Sequence, residues 1–445
     1  MPYVAGPSRS LRVSCYFTID PAQRSTREQS GRLTIALLVL LGTCFPALPV
    51  QAKYGGGSGT ATDPYLIYTP EQMNEIGANR SDWDKHFKLM ANIDLSAYTG
   101  TAFNVIGTGS PADPVSDPFS GVFDGNGHSI SNFTHTSTGV NAIGLFGNVS
   151  GVSARITDLE LISPNVKAGS GNYVGALAGR LADGVITGCC VERGSVSGRS
   201  YVGALVGSND GMVLECCSTG SVWGDWYVGG LVGYVGDGKM NECYSKAGVS
   251  GNRHVGGLVG MTAHDNSVVD SSYATGTAKA DMYVGGLAGQ VERGAVNKCY
   301  AAAAVSGNQY VGGLVGYVRV LGRVVHSFWD TQVSGQPTGD WGTGNTTDQM
   351  QMMSTFTATG WDFFTTWTIC EGTNYPVLFW QIPAGDFRCP DGVDMIDLSW
   401  FCQHWLQENC FASNFFCDGV DLDQSSFVDF ADFAIFADNW LAGAK

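Results

Sequence analysis

A seven-residue pattern of aromatic, apolar and glycine positions recurs through the middle of the chain. Its copies are Tyr173-Val-Gly-Ala-Leu-Ala-Gly179, Tyr201-Val-Gly-Ala-Leu-Val-Gly207, Tyr227-Val-Gly-Gly-Leu-Val-Gly233, His254-Val-Gly-Gly-Leu-Val-Gly260, Tyr283-Val-Gly-Gly-Leu-Ala-Gly289 and Tyr310-Val-Gly-Gly-Leu-Val-Gly316, after a degenerate Asn141-Ala-Ile-Gly-Leu-Phe-Gly147. The central leucines lie at 145, 177, 205, 231, 258, 287 and 314, a period of 26 to 32 residues. A second apolar run follows each of the last six leucines by eleven to fourteen residues, at Cys189-Cys190-Val191, Cys216-Cys217, Cys243-Tyr244, Ser272-Tyr273, Cys299-Tyr300 and Ser327-Phe328. Both runs are short, β-branched or aromatic, and bounded by glycine-rich turns, which predicts strands rather than helices. Short strands repeated every ~27 residues and stacked on their counterparts give a parallel β-solenoid with rungs ~4.8 Å apart. A β-propeller competes, but its blades need about forty residues and four strands each.

Composition sharpens this picture. Of 445 residues 61 are glycine, 44 % are apolar and only 14 % are Asp, Glu, Lys or Arg. There is no collagen-like period of three, charge is too sparse for a coiled coil or a disordered chain, and the apolar content suffices for a core. The glycine excess is locked to the repeat, at turns and where backbones must approach closely. A formal net charge of −16 with no basic patch excludes nucleic acid as a partner.

The N-terminus carries Arg24, Arg27 and Arg32, then the apolar run beginning at Leu33 and ending at Phe45, then Val50-Gln51-Ala52. That order predicts an export signal with a long leader over residues 1–52. The run is shorter than the ~20 residues that span a bilayer. The expected mature chain therefore begins near Lys53, is secreted or held at the cell surface, and has no integral membrane segment.

The Gly-Gly-Leu-Val-Gly copies resemble the GLUG-motif repeats of secreted bacterial surface proteins. The flanks share the resemblance: Gly59-Thr-Ala-Thr-Asp-Pro-Tyr-Leu-Ile67 and Phe119-Ser-Gly-Val-Phe-Asp-Gly-Asn-Gly-His-Ser-Ile130 before the repeats, and Ser327-Phe-Trp-Asp330 through Tyr375-Pro-Val-Leu-Phe-Trp380 after them. It implies a right-handed parallel β-helix, with N-terminal closing coils over residues 53–140, repeats over 141–330 and a C-terminal closing segment over 331–381. It also implies a surface or adhesion setting rather than a defined activity.

Residues 386–445 hold eleven acids and two bases, a balance that calls for a cation. Asp421, Asp423, Ser425, Asp429 and Asp432 occupy positions 1, 3, 5, 9 and 12 of a loop whose position 7 offers the Phe427 carbonyl. Those are the ligand positions of an EF-hand, and Ca2+ takes six to eight such oxygens. Ser426 replaces the usual glycine at position 6. An upstream copy aligns Asp397 through Leu406 with Asp432 through Leu441. It supplies Asp386, Asp394 and Asp397, but Arg388 and Pro390 stand at positions 3 and 5. That loop is expected to be weak or empty, with Asp391 as a compensating ligand. The paired loop-helix pattern resembles a dockerin type I module, which implies a small α-helical, EF-hand-like unit and a cohesin-like scaffold as partner.

Cys189, Cys216, Cys243 and Cys299 share one register with Ser272 and Ser327, which reads as an inert internal ladder or as inter-rung disulfides rather than a metal cage. Cys389, Cys402, Cys410 and Cys417 are disulfide candidates in the tail. For catalysis, Glu215 and Glu242 are register neighbours, but Gly188, Ser271, Lys298 and His326 take the same position elsewhere, so it reads as a turn. Asp124 and His128 read as structural parts of a closing coil. For binding, Tyr173, Tyr201, Tyr227, Tyr283 and Tyr310 share one register, with Trp223 and Trp226 beside the third copy. Turned outward, such a ladder offers rings to sugars; turned inward, it is a packing column. The expectation is a non-catalytic surface β-helix binding glycan or protein. The alternative is a polysaccharide-degrading enzyme or accessory subunit, a glycoside hydrolase or lyase, which needs paired carboxylates in a groove.

Overall fold

The repeat's apolar positions fall into columns because each rung pairs in register with the next. Val174, Val202, Val228, Val255, Val284 and Val311 are successive partners, and so are Ile156, Ile186, Val213, Met240, Val269 and Val296. The computed structural model describes residues 53–108, 117–389, 391–411 and 415–442; the expected export signal lies outside them. The chain is mainly β, a parallel β-solenoid whose rungs contribute to a 15-stranded and a 19-stranded sheet. All seven repeat leucines are at most 1 % exposed and belong to one core running from Ile67 to Trp329.

The first glycine of each complete heptad is a steric requirement. A Cβ at Gly175, Gly203, Gly229, Gly256, Gly285 or Gly312 would lie 1.9–2.4 Å from the carbonyl oxygen three residues on. Two other columns take left-handed backbone with ordinary side chains. One is the turn position of Glu215, Glu242, Ser271, Lys298 and His326, with φ between 43° and 52°. The other is the heptad's first residue, Tyr173, Tyr201, Tyr227, His254, Tyr283 and Tyr310, with φ between 53° and 61°.

These six rings stand on the solenoid flank, outside the core, each half-buried except Tyr310, which is exposed. They stack face to face at centroid distances of 4.7–5.0 Å and interplanar angles of 5–18°. Rung spacing and ring spacing coincide, so parallel pairing itself sets the stack. A left-handed residue costs about 1–2 kcal/mol and a stacked aromatic pair returns about 0.5–1.5 kcal/mol. Five pairs therefore offset much of the strain of six such residues.

The cysteine register is an internal ladder of thiols. Cys189, Cys216, Cys243 and Cys299 are buried and unpaired. Each Sγ donates to the carbonyl two residues back at 3.0–3.3 Å. Ser272 and Ser327 hydroxyls do the same at 2.6 and 2.7 Å, which explains the Cys/Ser exchange. The neighbouring register runs Cys190, Cys217, Tyr244, Tyr273, Tyr300 and Phe328. Its first two members form a disulfide. Its tyrosines stack at 4.9–5.1 Å and are covered by the chain's return.

That return is residues 343–381. After one more parallel rung, Thr343–Asn345 on Phe328–Asp330, the chain doubles back along the flank. Trp361, Trp367 and Leu378 join Tyr273, Tyr300 and Phe328 in a second core. Trp361 Nε1 donates to the His326 carbonyl at 2.9 Å, the Tyr300 hydroxyl to the Pro376 carbonyl at 2.8 Å, and Trp380 Nε1 to the Glu242 carbonyl at 2.9 Å. At the other end the helix Pro70–Ala78, opened by a Thr69/Gln72 capping box, buries Met73 and Ile76.

The tail builds its own small core from Val393, Phe401, Val420, Val428 and Phe436. Its cysteines depart from the expected four-member set. Cys410 pairs with Cys417, but Cys389 pairs with Cys370 of the returning segment, and Cys402 is free and exposed. Cys370 lies outside the tail, so local cysteine counting did not reach it.

Two outcomes follow. Alkylation of the native protein, mapped by mass spectrometry, should label Cys402 and spare Cys189, Cys216, Cys243 and Cys299 until unfolding, since burial pushes the Cys216 and Cys299 thiols well up. In the ring stack, burial and, secondarily, Arg253 hold the His254 imidazole down at about 4, with a Gln290 hydrogen bond opposing them. The unfolded chain then binds the extra proton between roughly pH 6.5 and 4. His254 thus contributes stability above that window that is lost as pH falls through it. His254→Tyr should flatten the fall in Tm between pH 6.5 and 4 relative to the parent.

Candidate functional site

The ladder's outward position leaves its ring faces against one another, so along its length only edges are available. Those edges support a further ring. Tyr234 lies 5.2 Å from Tyr201 at 89° and 5.8 Å from Tyr227 at 74°. Both faces of Tyr201 and Tyr227 are taken by the stack, so Tyr234 meets their edges, and all three rings line a groove of about 510 Å3. Burial, chiefly, pushes the Tyr234 phenol up to about 12, so the hydroxyl stays protonated.

Met261 and Ala263 also line the groove, and its remaining lining is polar: Asp237, His264, Asp265, Asn266, Glu292 and Arg293. Each carboxylate is held by a partner on an adjacent rung. Asp237 pairs with His264 Nδ1 at 3.0 Å and accepts from Asn266 at 3.3 Å. Arg293 reaches both oxygens of Asp265 at 3.2–3.3 Å, and Arg319 pairs with Glu292 at 2.5 Å. Ion pairs between rungs fix these groups in place and supply alternating donors and acceptors.

On the ladder's other side Trp223 and Trp226 are 50 % and 42 % exposed. Their register neighbours are small or polar: Ser197 and Ser250 beside Trp223, Ser200 and Arg253 beside Trp226. The Arg253 guanidinium lies 5.4 Å from the Trp226 ring centre.

In the tail the structure brings together Asp421, Asp423 and Asp432, with carboxylate oxygens within 4.8 Å of one another. Asp421 and Asp432 are 2 % and 0 % exposed. Backbone amides orient them: Leu422, Asp423 and Asp429 donate to Asp432, and Ser425 and Ser426 donate to Asp421. The Ser425 hydroxyl lies 3.2 Å from the Phe427 carbonyl. Ser426 holds a φ of 79°, the strain that the missing glycine implies. Asp429 instead caps the helix Phe430–Asp438 by accepting from Ala431 N. Burial, with repulsion from Asp432, raises the Asp421 pKa. Among the described residues no ion pair relieves the three carboxylates, so they fit a hard cation by donor type and by charge.

The upstream loop does not converge in this way. Asp397 accepts from Phe387, Arg388 and Asp394 amides as Asp432 does in its loop, and Asp394 caps the helix Met395–Gln403. Among the described residues Asp386 accepts only from Gly392, and burial together with Asp397, Asp391 and Asp394 pushes it up to about 7. The Arg388 guanidinium stacks over Trp400, 4.3 Å from its centre. No carboxylate cluster forms there among the described residues.

Glu215 and Glu242 occupy left-handed turn positions. Burial raises the Glu242 pKa, but its side chain accepts from Asn241. Asp124 pairs with Lys88 at 3.0 Å, and His128 meets Asn92 at 3.2 Å. Neither pair lines the groove. Of the groove residues, Tyr201 and Tyr227 belong to the tyrosine register the sequence showed, and the others were missed by the sequence reading. Their trace is the polar position at Asp210, Asp237, His264, Glu292 and Arg319, which recurs every 27 or 28 residues but varies among acid, histidine and arginine.

No protein-family model matches the chain. It is 34 % identical over 352 residues to halomucin of Haloquadratum walsbyi, covering 77 % of this chain and 4 % of halomucin. It is 35 % identical over 149 residues to a proposed Gly-rich membrane protein of Evansella cellulosilytica, covering 32 % of this chain and 16 % of that protein. The chain thus spans a small part of either relative. Among solved structures, a proposed immunoglobulin A1 protease from Bacteroides ovatus aligns with a TM-score of 0.50 at 21 % identity, over 74 % of this chain and 95 % of that one. That likeness supports the β-solenoid fold alone. Among the described residues no helix is long and apolar enough to cross a membrane.

Proposed function

We propose that the chain is an exported, non-catalytic β-solenoid of the cell surface or extracellular space that binds glycan on its aromatic flank. The observation that carries this reading is the Trp223 and Trp226 pair, two large exposed rings on one strand, Trp223 between two serines and Trp226 between Ser200 and Arg253. Two neighbouring exposed indoles offer a flat apolar surface, and indole faces suit the C–H faces of sugars. The likeness to halomucin and to a Gly-rich membrane protein supports a surface setting, and the repeats' resemblance to GLUG motifs agrees with it.

A hydrolytic reading is less favoured. Glycosidases need one carboxyl group protonated and a second ionised across the bond. The groove's Asp237, Asp265 and Glu292 are each engaged by a basic side chain or an imidazole of an adjacent rung.

For the tail we infer a dockerin-like module with Ca2+ in the second loop, held by Asp421, Asp423, Ser425, the Phe427 carbonyl and Asp432, and with a cohesin-like scaffold as partner. Bound there, the cation would supply the charge that three clustered carboxylates lack.

A glycan array on the mature chain should give signals that Trp223→Ala with Trp226→Ala reduces while Tm is kept; reproducible glycan cleavage by the purified chain contradicts the non-catalytic reading. Ca2+ should raise the tail's melting temperature, and Asp421→Ala with Asp432→Ala should abolish that rise. An EDTA-insensitive melt removes the calcium site.

A further inference from the structure

Tyr234 is one member of a column that reads Ser208, Tyr234, Met261, Gln290 and Tyr317 from rung to rung. Tyr317 repeats the Tyr234 arrangement three rungs on. It lies 5.2 Å from Tyr310 at 61° and 5.8 Å from Tyr283 at 52°, its ring crossing the planes of the stacked ones. Between the two tyrosines Met261 and Gln290 are 5 % and 6 % exposed and form a low floor. At ~4.8 Å per rung the two rings are separated by roughly 14 Å along the solenoid axis. Tyr234 lines the groove with its polar border, Tyr317 lies beyond that lining, and the two half-buried rings mark the ends of a linear run along the flank.

We propose that this track binds a neutral glycan strand parallel to the solenoid axis, with one sugar ring on Tyr234 and another on Tyr317. The inference rests on the glycan-binding reading above and assigns it a second site, separate from the tryptophan pair. Pyranose C–H faces match aromatic rings such as these two half-buried tyrosines, which stand outside the face-to-face ladder. Hydroxyl groups match the border, where the Asp237, Asp265 and Glu292 carboxylates accept and Arg293 donates, all pre-oriented by ion pairs between rungs. The border also sets the charge of the ligand. Its acids exceed its arginines, so sulfated and uronic-acid chains are repelled. Every acid already has a hydrogen-bonding partner on an adjacent rung, which a polycation would have to displace to bind.

The test is titration calorimetry of the mature chain with neutral oligosaccharides of two to six units, with heparin and polygalacturonate, and with oligolysine. Tyr234→Ala should weaken neutral glycans of every length about tenfold, Tyr234→Phe should retain most of the affinity, and Tyr317→Ala should weaken only the longer chains. Trp223→Ala with Trp226→Ala should leave this binding in place. Tm and circular dichroism verify that each variant is folded. If neutral glycans bind but only the tryptophan variant loses them, the track is wrong and the wider reading stands. If no glycan binds the parent, both fail. Preference for heparin, polygalacturonate or oligolysine, lost in Tyr234→Ala, overturns the assigned ligand class.

Discussion

Parallel, in-register pairing at one strand spacing is the constraint on which the rest of the solenoid depends. It places like residues above like residues, so each choice made once in the repeat is made in every rung. Buried leucines and valines become continuous columns, and the heptad glycine becomes obligatory because a Cβ would meet the carbonyl oxygen three residues on. The outer rings are brought to their stacking distance by the backbone rather than by their own attraction. Because one spacing serves both backbone hydrogen bonds and aromatic stacking, six left-handed residues are tolerable in a row.

That same constraint decides what the flank can offer a ligand. A ladder of rings at van der Waals distance has no free faces except at its ends, so the tyrosine column is a support rather than a platform. Platforms arise where the sequence breaks the repeat. Trp223 and Trp226 stand in rungs whose neighbours are serine or arginine, and Tyr234 and Tyr317 lie across ladder edges in a column otherwise of asparagine, arginine, serine, methionine and glutamine. Regular positions build the scaffold and irregular ones give it chemistry. The tail follows the same division, since its two loops share a hydrogen-bonding frame while only the second gathers carboxylates.

How much could be read beforehand follows from the range of each interaction. The solenoid, its leucine core and the tyrosine register were legible because they are periodic, and periodicity survives projection onto one dimension. The turn role of Glu215 and Glu242 was legible from the variety of residues sharing their position. Whether the tyrosines faced inward was not, because strand alternation alone does not say which face is outward and the left-handed φ at that position has no sequence mark in tyrosine or histidine. The return of residues 343–381 over Tyr244, Tyr273 and Tyr300, and the Cys370–Cys389 bridge, depend on contacts up to 138 residues apart that no local pattern encodes. Tyr234 was hidden for the opposite reason: it is a single departure inside a conspicuous repeat.

The central claim is that the scaffold's regular stack braces an irregular aromatic track that takes a ligand. Hydrogen-exchange mass spectrometry of the chain, with and without a saturating neutral oligosaccharide, tests it most directly. The account predicts added protection centred on peptides containing Tyr234, Met261 to Asn266, Glu292 and Tyr317, with the opposite end of the solenoid around Phe87 and Phe123 unchanged. Protection confined to Phe87, Phe123 or the tail, with the Tyr234 and Tyr317 peptides unaffected, would contradict it.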